Sequence, residues 1–107
     1  MHNLRQLGKH EQPPPNLRAI RRSCSKELYR TIKRLNRYIE PEKIRAAEEL
    51  YYKKVGANLL FIAENGSNRK KLADWWDENV CPDIAELWGV APRELSRAFR
   101  SAFVGGG

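Results

Sequence analysis

Apolar residues recur at helical spacing from Leu17 onward. Leu17, Ile20, Cys24, Leu28, Ile32, Leu35 and Ile39 fall within an arc of roughly 120° at about 100° per residue. This predicts an amphipathic helix over residues 17–39. Asn16 stands where an N-cap belongs, and Pro41 follows shortly after the end. The opposite arc, again roughly 120° wide, carries Arg18, Arg22, Lys26, Arg30, Lys33 and Arg37, and Glu27 is the one acid of the segment. One side of this helix is expected to bury, and the other to present a cationic stripe about 28 Å long.

A second helix is expected to begin at Pro41, a favourable first-turn residue, with Ile44, Ala47, Tyr51 and Val55 keeping helical spacing. Gly56 is a weak point. The apolar run 57–63 beyond it reads either as a strand or as a buried helical continuation. No partner strand is visible, so the helix is preferred, ending at Asn65-Gly66. Ser67 or Asn68 caps a third helix running to about Asn79, with Leu72, Trp75, Trp76 and Val80 on its apolar side. Two adjacent tryptophans are not expected both to point inward, which leaves one at the edge of the core.

Residues 81–100 read Cys-Pro-Asp-Ile-Ala-Glu-Leu-Trp-Gly-Val-Ala-Pro-Arg-Glu-Leu-Ser-Arg-Ala-Phe-Arg. Two short helices that cross closely need a small residue at the crossing and a glycine where the turn takes positive φ. Ala85 and Gly89 meet those demands, while Ile84, Trp88, Val90, Leu95 and Ala98 hold core spacings. The stretch 82–103 resembles the helix-turn-helix of transcription regulators, and within that class the arabinose-regulator (AraC) type. That family's domain carries two such motifs, and one is found here. The resemblance implies that the second helix enters the major groove of DNA, with Arg93, Ser96, Arg97 and Arg100 as contact residues. Arginine can pair bidentately with guanine, and serine can serve several bases or a phosphate. The competing reading is an ordinary corner in a helical core.

Charge sharpens this picture. Twenty Lys and Arg against thirteen Asp and Glu give the 107 residues a formal +7. The first 39 residues hold ten cations and two acids, and the remainder ten cations and eleven acids. The surplus therefore belongs to the first third, which gives the field a direction toward an anionic partner. Solvated helix faces usually mix signs to gain i,i+4 pairs, and the stripe on residues 17–39 does not.

Residues 1–16 read as a flexible basic arm containing Pro13-Pro14-Pro15, and residues 105–107 as a frayed tail. One domain's worth of chain with 41% hydrophobic residues can bury a single modest core. No apolar run reaches the roughly 18 residues that span a bilayer, and no signal-peptide core opens the chain. The expectation is a cytoplasmic protein without a membrane partner.

Little points to catalysis. His2 and His10 both lie in the arm, no glycine-rich phosphate loop is present, and no spacing suits a metal. Cys24 falls on the apolar side of the first helix, and Cys81 at a helix N-terminus, which would lower its pKa. Two reduced thiols are the simplest expectation, though a disulfide is open. Asp74, Asp77, Glu78, Asp83 and Glu86 are read as a solvated acidic face.

The sequence thus predicts an all-α protein, a small bundle of about five helices with a C-terminal helix-turn-helix. Its expected function is DNA binding in transcription regulation, without enzymatic activity, cofactor or metal. A homodimer would extend the short half-site that one motif reads. The rivals are an interaction module that docks its basic helix on an acidic protein, and an RNA-binding protein.

Overall fold

The computed structural model describes residues 16–105, and the arm expected over residues 1–16 lies outside them except for Asn16. Six α-helices form, against about five expected: α1 Leu17–Leu35, α2 Pro41–Ala57, α3 Leu59–Glu64, α4 Arg69–Asn79, α5 Cys81–Trp88 and α6 Pro92–Arg100. A wide π-type turn over Ser101–Gly105 follows α6. The fold is all-helical, with no strand among the described residues.

Helix α1 starts where its cap predicts: the Asn16 side chain accepts a hydrogen bond from the Ala19 backbone N–H at 2.7 Å. Ile20, Cys24, Leu28 and Thr31 form its buried stripe, and the Thr31 hydroxyl satisfies itself on the Glu27 carbonyl at 2.8 Å. The helix stops four residues short of the expected Ile39. Asn36 turns left-handed at φ 57° and donates its N–H to the Ile32 carbonyl, a conformation that asparagine tolerates better than most residues. Arg37 therefore sits in the connector to α2. Ile39 is still buried, carried inward by the connector.

Pro41 opens α2, and Ala47, Tyr51 and Val55 bury its inner side. The continuation to residue 63 is helical but neither unbroken nor buried. Asn58 leaves helical geometry at φ −128°, ψ 32°, while its side-chain amide takes the Lys54 carbonyl at 2.9 Å. The new helix α3 exposes Leu60 (73%) and Leu59, and only half-buries Phe61 and Ile62. One turn and a half of helix packs on its neighbours along one side alone, so a wholly apolar run must face outward in part.

Asn68 caps α4 by accepting from the Lys71 N–H at 3.0 Å. Trp75 and Trp76 of α4 are both buried, contrary to the expectation that one would lie at the edge. Residues 100° apart can both bury when a helix has neighbours on two sides. The Trp76 ring stacks on Phe99 of α6 with centroids 3.7 Å apart. Both tryptophans also line a cavity of about 320 Å³, together with Ile62 of α3 and Leu72. Phe99 also stacks on Phe103, and Tyr51 stands edge-on to both Trp76 and Phe99. These four rings join α2, α4, α6 and the terminal turn, offset or edge-to-face as aromatic quadrupoles prefer in most of the contacts.

Val80 alone separates α4 from α5. At the end of α5, Gly89 takes φ +67°, and the Val90 N–H closes back on the Ala85 carbonyl at 3.0 Å. A side chain there would meet the usual left-handed penalty, which glycine avoids. Ile84, Ala85, Trp88, Val90, Leu95 and Ala98 are all buried around this corner. Trp88 reaches across to α2, its indole N–H donating to the Lys43 carbonyl at 3.0 Å. Among the described residues, no helix is long and apolar enough to cross a membrane.

Candidate nucleic-acid interface

The fold sorts the cations of α1 by direction. On the side facing α2, Arg21 pairs with Glu49 at 3.0 Å and Ser25 donates to Glu48 at 2.9 Å. On the open side, Arg18, Arg22, Lys26, Arg30 and Lys33 are all exposed. Among the described residues none of these five forms an ion pair. The stripe they make is about 22 Å long at 1.5 Å per residue, shorter than expected because Arg37 has left the helix. Arg37 instead bonds Glu94 of α6 at 3.0 Å. Both members of that pair are about half exposed, so it contributes little to stability, yet it compensates one cation of the expected set.

Helix α6 buries Leu95, Ala98 and Phe99 and turns the other candidate residues outward. Arg93 and Arg97 are exposed, with the half-buried Ser96 between them. Arg100 lies on the same side but is occupied. Its guanidinium donates to Asp77 from Nη2 at 2.7 Å and from Nε at 3.0 Å, and also to Asp74. The hydrogen bond from Arg100 holds the Asp74 carboxyl below its ordinary range. The acidic face read from the sequence is therefore partly spoken for: Asp74 and Asp77 clamp α4 to α6, and Asp83 pairs with Lys54 at 3.2 Å.

Two residues join the interface that sequence reasoning missed. Arg34 donates to Ser101 at 3.2 Å and lines a groove between α1 and α6 with Leu35, Glu94, Arg97, Ala98 and Ser101. This groove links the basic side of α1 to Arg97. Tyr29 is 61% exposed in the midst of the α1 stripe, and the Lys33 ammonium lies 5.1 Å from its ring centroid. The helical wheel puts Tyr29 between Arg18 and Arg22, which was the available signal; an aromatic amid cations stands out once its exposure is known.

The cysteines are poor nucleophiles. Burial pushes the Cys24 thiol up to about 12. Cys81 moves up as well, to about 11, through burial and the nearby charge of Asp77. The expected lowering at the α5 N-terminus is thus overturned, and the Cys81 thiol donates to the Pro92 carbonyl at 3.4 Å. Both cysteines are free, and among the described residues no cluster of three or more His, Cys, Asp or Glu is placed to hold a metal.

Compared with known protein families, curated proteins and solved structures, the chain matches none. The AraC-type resemblance of residues 82–103 therefore stands on those residues alone.

Proposed function

We propose that this chain binds duplex DNA as a small transcription regulator. The open side of α1 meets phosphates through Arg18, Arg22, Lys26, Arg30 and Lys33. The α5–α6 corner acts as a helix-turn-helix whose second helix reads bases through Arg93, Ser96 and Arg97. The observation that carries this reading is a row of uncompensated charge: Arg21 is paired with Glu49 of α2, while Arg18, Arg22, Lys26, Arg30 and Lys33 are exposed and, among the described residues, without an acidic partner. Unpaired, solvated cations in a row release counterions from a polyanion at little desolvation cost. Arg37 and Arg100 take lesser parts, since Glu94 and the Asp74–Asp77 pair must yield before they turn to DNA. Two copies bound as a homodimer would read two half-sites.

Binding-site selection from a random duplex library, followed by salt titration, tests the scheme. Replacing Arg22, Lys26 and Arg30 with Gln should weaken binding to every sequence alike and reduce the log–log salt slope by up to about 0.9 per lost phosphate contact. Arg97→Ala should cost specific binding roughly 1–3 kcal/mol and relax preference at one base. If the wild-type protein enriches no sequence, the α5–α6 corner is scaffold. An unchanged salt slope in the triple variant removes the α1 stripe from the interface. Sedimentation of the complex gives the number of copies bound.

A further inference from the structure

The groove beside the α1 stripe is shaped for something other than phosphate. Arg22, Ser25, Lys26 and Tyr29 of α1 form one wall, Ile44 and Glu48 of α2 the other, with Ile32 between them. The groove holds about 490 Å³. Lys33 lies against the Tyr29 ring, yet the residue remains 61% exposed. An exposed tyrosine normally costs solvation of a large apolar surface without return, and here it is flanked by cations before and after it along the helix. A flat π-system above apolar side chains, with guanidinium and ammonium groups at its rim, matches an unpaired nucleobase and the phosphates on either side of it. A duplex keeps its bases stacked and offers this groove only its sugar–phosphate edge.

We infer that the α1–α2 groove takes an unpaired nucleobase, stacked on Tyr29, from a single-stranded segment whose phosphates lie along Arg22, Lys26 and Lys33. The half-buried Glu48, already accepting from Ser25, is the acceptor within reach of a base amino or imino group. The inference rests on the reading that the open side of α1 meets nucleic-acid phosphates, and it adds an unpaired strand to the duplex as a ligand of that side.

The test is fluorescence anisotropy at low salt with three labelled probes. These are a single strand of about ten nucleotides, the same backbone with abasic residues, and a duplex of equal length. The single strand is supplied as both oligothymidine and oligouridine, so that DNA and RNA are told apart by which of the two binds. Tyr29→Ser should weaken single-strand binding about tenfold or more, Tyr29→Phe should keep it, and duplex affinity should change less than twofold in both. Wild type should prefer the intact strand to the abasic one by a similar factor, a preference Tyr29→Ser should lose. Equal binding of intact and abasic strands overturns the inference while leaving phosphate binding by α1 standing, as does an equal loss for strand and duplex in Tyr29→Ser. Failure of wild type to bind any probe instead overturns the phosphate reading itself.

Discussion

Glu27 is the acid that α1 carries among its cations, and it faces inward. Its side chain is 18% exposed and lies 3.9 Å from Arg69, too far for a strong ion pair. Arg69 is held elsewhere, donating to the Phe103 carbonyl at 2.9 Å and stacking on the Phe103 ring. Burial therefore dominates and pushes the Glu27 carboxyl from 4.5 up to about 7, with Arg69, Arg30 and Lys26 opposing the rise. A carboxyl whose folded pKa exceeds its unfolded value binds its proton more tightly when folded. Its contribution is then fully present below about pH 4.5 and is lost as pH rises toward 7. Glu27→Gln should flatten that decline and leave the protein more stable at pH 8, by up to roughly 3 kcal/mol at 1.36 kcal/mol per pKa unit. Urea unfolding of both proteins at pH 5 and pH 8 measures it, and parallel pH dependences would place the charged carboxylate in a wetter setting. The sequence marks Glu27 only in part: on the helical wheel it falls about 20° beyond Ile20 at the edge of the apolar arc and about 60° outside the cationic one. The neighbours that desolvate it, near Arg69 and Phe103, are set by the tertiary packing.

At the scale of elements, the corner between α5 and α6 depends on one backbone conformation. A Cβ at Gly89 would meet no atom within 4 Å, so steric room is not the constraint; φ +67° is. Gly89→Ala should cost about 1–2 kcal/mol through the left-handed penalty alone, and Gly89→Asn less, since asparagine visits this region more readily. Thermal or urea denaturation reads the difference, and equal stability of all three proteins would mean the turn adopts another geometry. Helix ends show where sequence pattern stops being informative. The apolar period runs on through Ile39 because the connector buries that residue too, so periodicity continues past the point where Asn36 has already turned left-handed. Asn58 likewise breaks a helix by giving its own amide to the carbonyl of Lys54, whereas the pattern marked Gly56 as the weak point. By contrast, Asn16, Pro41, Asn68 and Gly89 act through strictly local chemistry, and the starts of α1, α2 and α4 and the α5–α6 turn were legible for that reason. The cations of α1 were legible through their period. The partners of Arg37 and Arg100 were not, because Glu94 lies 57 residues from one and Asp74 lies 26 from the other.

For the molecule as a whole, the stacked rings of Trp76, Phe99 and Phe103 tie the C-terminal helices to the core that α1 and α2 begin. Trp76→Ala should cost about 3–5 kcal/mol, the range for emptying a large aromatic site, which is a large share of the total stability of a domain this size. Loss of a cooperative urea transition in Trp76→Ala fits this reading, and a change below 1 kcal/mol would disprove the central role of the stack. The triple replacement of Arg22, Lys26 and Arg30 should leave the transition within about 0.5 kcal/mol, as exposed substitutions usually do. Stability and affinity are thereby assigned to opposite sides of α1.

The burial of all three tryptophans carries one more consequence. Trp75, Trp76 and Trp88 are 8%, 1% and 7% exposed, and none belongs to the α1 stripe, its groove with α2 or the groove beside Arg97. The indole emission of this protein is thus an optical gauge of the interior alone. A nucleic acid seated on the basic side should leave the emission maximum where it stands, and a red shift on titration would mean that binding had opened the fold.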